Sequence, residues 1–342
     1  MSAQDDADRE WDAFLASTPH GYHEQTSLYA TLRNEYGLHS ARTVVRDSEN
    51  SIIGGVQVLF QKTPIGRLGL VLRGPIAKND DPETLQRVVT SLNKLAKNNR
   101  LSSIRVETFS TQRQTRKALA EEGYLSSSAW NRDAPCAFIE LQMDDAAMLL
   151  KMKKVARKQI RASQRKGVTV KFGDRLDVRT FFDLHNRSAA HQKFAVFPER
   201  YFSYLTETFG TERVPTFVAY HAGKPISALM NFVMDNRLYS CWFGMDRDAN
   251  NNELNATRLL YFEAMKWGRN NGLEGFDLTG TSLLRNQLAH YLIQRPTIQR
   301  KHFGPTKGLH RLIVHTCGRF DPLRTFTTKA ARRLGYQKPM PH

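Results

Sequence analysis

One stretch of the sequence sets the fold: LNATRLLYFEAMKWGRNNGLEGFDL, at residues 254–278. Apolar side chains recur every three or four residues from Leu254 to Asn271, which predicts an amphipathic helix. The residues from Gly275 to Leu278 follow a glycine and are mostly apolar, which predicts a short buried strand. Working outward from this helix and strand reveals how the rest of the chain is organised.

The same helix and strand occur earlier in the chain. A helix is predicted from Pro82 to Asn99 and a strand from Ser103 to Glu107. The helix ends read NNRL from residue 98 and NNGL from residue 270, so the second copy lies 172 positions after the first. An internal repeat of this length indicates a duplicated domain.

The strands that precede each helix repeat as well. Strands are predicted at Arg42–Arg46, Ile52–Phe60 and Leu68–Leu72 in the first half, and at Thr216–Tyr220, Ile226–Met234 and Leu238–Phe243 in the second. The offset is 173 both from Val45 to Val218 and from Ile53 to Ile226. Each half is therefore predicted to be a mixed α/β unit, in which the strand after the helix lies parallel to the strand before it.

This repeat predicts the domain organisation. We expect a first domain at residues 1–147, a basic helical connection at 148–167, a second domain at 168–320 and a basic tail at 321–342. A chain of 342 residues is also longer than one ordinary domain. With 40% hydrophobic and 24% charged residues, the composition excludes a disordered chain.

The chain is strongly basic. Fifty Lys and Arg residues against 33 Asp and Glu give a formal net charge of +17, which favours polyanionic partners such as nucleic acid, nucleotide-linked substrates or an anionic membrane surface. The start of the sequence is acidic and has no basic, apolar leader, and no apolar run is long enough to span a bilayer. Three widely spaced cysteines argue against a disulfide framework and a zinc site. We therefore expect a cytoplasmic protein.

The positive charge is concentrated in Lys151–Lys166, which reads KMKKVARKQIRASQRK and contains no acid. If this segment is helical, Lys154, Lys158, Arg161 and Arg165 share one face. The face is either a solvated linker or a phosphate-binding surface, and the unbalanced charge favours phosphate binding. The tail adds five more cations, namely Arg324, Lys329, Arg332, Arg333 and Lys338.

Common catalytic motifs are missing from the sequence. It contains no GxSxG, GxxxxGK[ST], GxGxxG or HExxH motif, which argues against the corresponding hydrolases, NTPases, dinucleotide enzymes and zinc proteases. The stretch Asp246–Thr257 begins like a calcium loop but lacks its glycine and final glutamate, so a polar turn is expected. His20 and His23 are interpreted as structural or surface residues. No metal or cofactor is predicted.

Several short strings, taken in order, resemble the FemABX family of aminoacyltransferases. The strongest are NATRLLYFEAMKW at 255–267, FDLTGT at 276–281 and KHFG at 301–304. Earlier parts of the resemblance are the segments Gly21–Leu32, Arg73–Pro75, Arg105–Glu107 and Phe197–Phe202. The resemblance implies two tandem GNAT-like domains. It also implies transfer of an amino acid from aminoacyl-tRNA to an amine, such as that of a cell-wall precursor or a small metabolite, by direct aminolysis without a cofactor.

Thr31 and Phe197 stand where cell-wall members of the family carry a lysine and an arginine, which leaves the acceptor open. Two other functions also stay open. One is an acyl-CoA-dependent GNAT N-acyltransferase, although the stretch from Arg247 to Ala256 has no glycine for a pyrophosphate loop. The other is a nucleic-acid-binding protein without catalysis.

Aminolysis of an ester needs a neutral amine, donors for the developing oxyanion and a proton for the leaving oxygen. The predicted catalytic residues are main-chain N–H groups near Phe243 and Gly244, a cation at Arg300 or Lys301, and a carboxylate at Asp277 or Glu107 that orients the amine. The predicted substrate-binding residues are Arg73, Tyr201, Trp242 and Thr279. Structural alternatives stay open: a strand-end cap for Asp277, a salt bridge with Arg105 for Glu107, an exposed edge-strand pair for Arg300 and Lys301, and core packing for the two aromatic residues.

Overall fold

The computed structural model describes residues 3–63, 66–109, 111–126, 135–174, 176–247, 254–293 and 297–304. These residues form two compact units, each built around a seven-stranded sheet. The first unit contains the described residues up to 126 together with 297–304, and the second contains 135–293.

The first unit places helices on both faces of its sheet. Its elements are α1 (Ala3–Ser17), a 3₁₀ turn (His23–Gln25), α2 (Ser27–Glu35), β1 (His39–Arg46), β2 (Ile52–Thr63), β3 (Gly66–Leu72), β4 (Ile76–Ala77), a 3₁₀ turn (Lys78–Asp80), α3 (Pro82–Asn98), β5 (Leu101–Thr108), α4 (Arg113–Glu121) and β6 (Leu125–Ser126). Asp81 caps α3 by accepting a hydrogen bond from the Thr84 N–H at 2.8 Å. Val88 and Leu92 of α3 pack on Val58 and Ile104 in the core.

The second unit repeats this plan. Its elements are β7 (Cys136–Glu140), α5 (Asp145–Lys151), α6 (Lys154–Arg165), β8 (Thr169–Phe172), α7 (Asp177–Gln192), α8 (Glu199–Phe209), β9 (Thr216–His221), β10 (Lys224–Met234), β11 (Arg237–Met245), α9 (Ala256–Asn270), β12 (Gly275–Asp277), α10 (Leu283–Leu288) and β13 (Tyr291–Ile293). Leu259, Leu260 and Met265 of α9 are buried in its core, as the apolar spacing predicts.

Each sheet is completed by a strand from the other half of the sequence. The first sheet has the order β1-β2-β3-β5-β14-β6, in which β14 (Thr297–His302) lies between β5 and β6. The second has the order β13-β7-β12-β11-β10-β9-β8, so β7 lies between β12 and β13. Strands β3 and β5 are parallel, as are β11 and β12, whereas the inserted strands pair antiparallel. The repeat therefore extends to the way in which the sheets are closed.

The predicted repeat of strands and helices is confirmed, but the compact units do not follow the predicted boundaries. Strand β7 was placed in a first domain at 1–147 and belongs to the second unit, while residues 297–304, placed in the second domain, belong to the first. The cause is the strand exchange, which local sequence patterns do not reveal. The basic connection at 148–167 is part of the second unit, because Met152, Ala156 and Ile160 are buried in its core. The tail at 321–342 lies outside the described residues.

In the part of the chain that the structure describes, no helix is long and apolar enough to cross a membrane.

The contact between β12 and the inserted β7 gives a test of this topology. A Cβ atom added at Gly275 would lie 2.1 Å from the tip of the Phe138 ring. We expect Gly275→Ala to lower the free energy of unfolding by about 1–3 kcal/mol, because a packed ring must move. Since the clash is with Phe138, the double variant with Phe138→Leu should be more stable, by about 1 kcal/mol, than the sum of the two single effects predicts. Urea denaturation of the four proteins measures this coupling, and additive effects would contradict the proposed contact.

Candidate active site

The parallel strands β3 and β5 pair as far as Leu72 and Glu107. Ile104 and Val106 of β5 belong to the core beneath α3, so the alternation of a strand puts Arg105 and Glu107 on the opposite face. Polar side chains from other elements collect at this end of the two strands. The carboxyl ends of parallel strands are a common place for ligand sites in α/β folds.

Four charged residues form the cluster at this end, and we call Glu24, Arg73, Arg105 and Glu107 the carboxylate–arginine cluster. The Arg73 N–H donates to the Glu107 carbonyl oxygen at 2.8 Å, and Arg73 adopts a left-handed φ of 56°. Its Nε lies 3.3 Å from Oε2 of Glu24, and its guanidinium carbon lies 4.2 Å from the centre of the Phe109 ring. Arg105 pairs with Glu107 at 2.6 Å.

A buried glutamine holds Glu24 in place. The neighbouring Gln25 side chain donates to the Leu72 carbonyl at 2.6 Å and accepts from the Gln57 N–H at 2.8 Å, so it links β2 and β3. The Trp11 indole N–H donates to the Gln25 carbonyl at 2.7 Å. A Cβ atom at Gly74 would lie 3.1 Å from the Gln25 carboxamide carbon, so a larger side chain there would press on this link. Glu24 therefore sits on a rigid turn.

The electrostatics of the cluster follow from its burial. Burial raises the pKa of the Glu24 carboxyl; Arg73 opposes this shift and Glu107 adds to it. Burial, with the nearby guanidinium groups of Arg73 and Arg33, holds the pKa of His23 well below its ordinary value. A partly desolvated environment that holds charges of both signs changes proton affinity, as in catalytic sites and in structural ion networks.

The inserted strand β14 contributes one of the two predicted cations to the same face. Arg300 lies directly opposite Arg105 in the antiparallel register, and it is half-buried. Lys301, the next residue, points to the other face, where its ammonium donates to the Glu122 carbonyl and lies 3.9 Å from the Glu122 carboxylate. Glu122 also accepts a hydrogen bond from Asn93 of α3 at 2.7 Å. Lys301 is thus a structural contact of β14, whereas Arg300 faces the cluster.

Asp277 and Thr279 lie in the second unit, at the point where β11 and β12 separate. The last residue pair of these strands is Tyr239 and Asp277. Asp277 is buried and accepts a hydrogen bond from the Thr279 N–H at 2.7 Å, while the Thr279 hydroxyl donates to the Ser240 carbonyl at 2.5 Å. These bonds fasten the end of β12 to β11, as expected for the strand-end cap.

Gly244 packs beneath helix α7, whereas the Phe243 side chain packs against the core that contains α9 and only its carbonyl contacts α7. A Cβ atom at Gly244 would lie 2.4 Å from the backbone nitrogen of His185, and the His185 ring Nδ1 lies 2.7 Å from the Phe243 carbonyl oxygen. A β-bulge precedes them, since Met230 pairs with Trp242 but Asn231 pairs with Ser240. In the described structure this stretch serves α7 packing, and it lies in a different unit from the carboxylate–arginine cluster.

Tyr201 and Trp242 are core residues of the second unit. Tyr201 is fully buried, and Trp242 is 5% exposed. Both rings make edge contacts with Phe202, with centroid distances of 5.8 Å and 5.4 Å. Neither ring therefore offers a free face for stacking on a substrate, and the structure favours the packing alternative.

The basic segment forms helix α6, with its cations on the surface. Lys154, Lys158, Arg161 and Arg165 are all exposed and lie within about 60° of one another around the axis, opposite the buried side of the helix. No ion pair joins these four to an acid within the described ranges. We call them the α6 basic face.

The structure thus brings together Glu107, Arg73 and Arg300 of the predicted residues. Asp277, Thr279, Gly244, Tyr201 and Trp242 belong to the second unit. Glu24 was missed, although it stands next to Gln25 in the segment that carries the family resemblance. His23, interpreted as structural or surface, is buried beside the cluster.

Two family models match this chain, one in each half of the sequence. Residues 7–127 match the model of the FemAB family, and residues 151–290 match the model of the acetyltransferase (GNAT) domain. The predicted resemblance to the FemABX family and the tandem GNAT-like α/β fold are thereby confirmed.

Individual proteins agree with this assignment. The chain is 25% identical over 189 residues to the Lipid II:glycine glycyltransferase of Staphylococcus aureus (strain MRSA252). The match covers 52% of this chain and 44% of that relative, so the chain spans less than half of its length. The crystal structure of FemX superposes with a TM-score of 0.66 at 16% identity, covering 90% of this chain and 98% of that one.

A second solved structure shares the fold. It is the C-terminal domain (DUF2156) of a putative lysylphosphatidylglycerol synthetase from Agrobacterium fabrum. The TM-score is 0.57 at 15% identity, and the match covers 92% of this chain and 98% of that one.

The buried His23 predicts a dependence of stability on pH. Its folded pKa lies well below the ordinary value of 6.5, so protons bind the unfolded chain preferentially. The contribution of neutral His23 to stability is therefore complete above pH 6.5 and is lost as the pH falls below it. We expect the melting temperature of the His23→Gln variant to fall less steeply between pH 7 and pH 5 than that of the parent. The exposed His191→Gln variant is the control, and equal slopes for the parent and His23→Gln would contradict the prediction.

Proposed function

We propose that this chain is an aminoacyltransferase that forms an amide bond between an aminoacyl group carried by tRNA and an amine acceptor. One observation carries the proposal: the carboxylate–arginine cluster lies where β3 and β5 separate, within the segment that matches the FemAB family. Charged tRNA is a cytoplasmic molecule, so we place the reaction in the cytoplasm.

The chemistry needs little covalent help from the protein, because an aminoacyl ester is already activated. The amine attacks the ester carbonyl, the new C–N bond forms, and the ribose oxygen leaves with a proton. The enzyme has to hold an unprotonated amine at the carbonyl, stabilise the oxyanion and provide a path for protons. No covalent enzyme intermediate is required.

In this proposal Glu107 holds the acceptor amine and accepts its proton. It lies at the end of β5, and its salt bridge with Arg105 at 2.6 Å orients the carboxylate. Arg300 supplies positive charge for the oxyanion, since it projects from β14 on the same face. Arg73, held by its main-chain bond to Glu107 and its contact with Glu24, contributes a second guanidinium.

For the acceptor we propose the amine of a lipid-linked cell-wall precursor. The support is the similarity to a protein named as a Lipid II:glycine glycyltransferase. Thr31 and Phe197, which replace the lysine and arginine of cell-wall members, mean that any phosphate of the acceptor would need other cations. The nearby cations are Arg73 and Arg105 of the cluster and Arg300, which faces it from β14.

For the donor we propose that the α6 basic face binds tRNA phosphates. Its four cations project from one side of a helix whose opposite side is buried, so they form a ridge of fixed charge. A fixed row of cations releases condensed counterions when it binds a nucleic acid, which makes the affinity depend on salt.

A second candidate is an acyl-CoA-dependent N-acyltransferase. The observation in its favour is the GNAT domain match at residues 151–290, together with the bulge in β11 beside the separation from β12. This alternative would place the chemistry in the second unit, near Asp277. The two candidates therefore predict that different carboxylates are needed for transfer. The tRNA-dependent reaction needs Glu107, and the acyl-CoA-dependent reaction needs Asp277.

The matched substitutions Glu107→Gln and Asp277→Asn separate these candidates. Both replace a carboxylate with its amide at the end of the parallel strand pair, one in each unit. We expect Glu107→Gln to lower the rate of transfer from radiolabelled aminoacyl-tRNA by about a hundredfold or more, because a general base is lost. Asp277→Asn should retain most of the activity.

Acetyl-CoA is supplied in parallel as the competing donor. Turnover with acetyl-CoA and none with charged tRNA would reject the proposed donor. Loss of transfer in Asp277→Asn but not in Glu107→Gln would instead move the chemistry to the second unit.

Charge reversal tests the α6 basic face. We expect replacement of Lys154, Lys158, Arg161 and Arg165 with Glu to weaken tRNA binding and to reduce the slope of log affinity against log salt by about 3, because up to four phosphate contacts are lost. Filter binding at several salt concentrations measures both quantities.

The control changes net charge equally at four exposed lysines on other elements, Lys62, Lys94, Lys117 and Lys224. An equal effect of both sets would mean that net charge, and not the α6 face, determines the affinity.

A further inference from the structure

Exposed apolar side chains are concentrated in one region of the second unit. Eight large apolar residues are exposed within the described part of the chain, and four of them lie on α5, α6, α10 and the face of β13 that is on the side of these helices. These four are Leu150 (71% exposed), Val155 (40%), Leu283 (78%) and Leu292 (52%), whereas the exposed Tyr291 pairs with Phe138 on the opposite face of the sheet. Single exposed leucines are ordinary, whereas a group on adjoining elements indicates a surface with a partner.

Hydrogen bonds join these elements. The Lys153 N–H donates to the Gln287 carbonyl of α10 at 3.0 Å, and the His290 ring lies 3.2 Å from the Met148 carbonyl of α5. Arg157 donates to the carbonyls of Leu150 and Met152 at 2.9 Å, which ties the end of α5 to α6. Since Met148 and Met152 are buried in the core, the exposed side chains are held on a rigid base.

The same surface is positively charged. Lys151 and Lys153 flank the buried Met152 and are both exposed, and no acid follows until after Lys166. Lys151 pairs with Glu140, so much of the local positive charge comes from Lys153 and the start of α6. We call the four apolar side chains Leu150, Val155, Leu283 and Leu292 together with Lys151 and Lys153 the apolar–basic surface.

We propose that the apolar–basic surface docks the protein on an anionic lipid bilayer. Lysines are attracted by acidic headgroups, and neighbouring apolar side chains gain by entering the boundary between headgroups and acyl chains. A tRNA would satisfy the lysines but would leave four exposed aliphatic side chains, at Leu150, Val155, Leu283 and Leu292, without an apolar partner. The combination therefore favours lipid over nucleic acid here, and it does not rest on the proposed transfer reaction.

Vesicle co-sedimentation of the full chain tests this inference. We expect the parent to bind vesicles of equal parts phosphatidylcholine and phosphatidylglycerol more tightly than vesicles of phosphatidylcholine alone, and more weakly as salt is raised. The double variant Leu150→Ser with Val155→Ser should bind anionic vesicles roughly tenfold less tightly, because two apolar side chains no longer enter the bilayer. Leu176→Ser is the matched control, since Leu176 is 83% exposed but lies outside this surface.

Three measurements accompany the binding assay. Circular dichroism and melting temperature show that the variants remain folded, filter binding reports their tRNA affinity, and sedimentation velocity reports self-association. The proposal is overturned if the parent has no preference for anionic vesicles, or if the double variant binds them like the parent. It is also overturned if the double variant loses tRNA affinity or self-association while vesicle binding is unchanged.

Discussion

The main-chain pairing of β14 with β5 is the interaction on which the proposed site depends. Without β14, the polar groups along one edge of β5 would lack a strand partner, and unpaired main-chain groups are costly when buried. The same strand brings Arg300 to the face that carries Arg105 and Glu107. The first sheet and its polar face are therefore complete only when β14 pairs with β5.

In both units two parallel strands separate at one end of the sheet, but the side chains at that point differ. In the first unit, Glu107 ends the pairing of β5 with β3 beside Arg105 and Arg73. In the second unit, Asp277 lies in the last pair of β12 with β11, but its carboxylate accepts a hydrogen bond from the Thr279 N–H. Duplication thus supplied two similar frameworks, of which one carries half-buried ion pairs and the other holds a buried carboxylate with local hydrogen bonds at its strand end.

Sequence reasoning predicted what depends on local periodicity and missed what depends on pairing. The helices α3 and α9 and the strands around them follow from apolar spacing and the constant offset. The sheets that β7 and β14 join could not be predicted, because the residue pattern of a strand does not specify which strand pairs with it. For the same reason the sequence left Arg300 and Lys301 as alternatives, since only the register decides which faces the cluster.

The half-buried ion pairs of the first unit are the physical reason why the proposed function uses this unit. Taking an ion even partly out of water costs free energy, and a pair such as Glu24 and Arg73, whose side chains are 18% and 19% exposed, recovers that cost only with good geometry. A hydrophobic pair of similar volume would often be at least as stable. Burial moreover raises the pKa of Glu24 although Arg73 acts to lower it, so the attraction of Arg73 does not fully offset the desolvation of the carboxylate. In the proposed function, this pair is kept at the strand opening for binding or catalysis and not for stability.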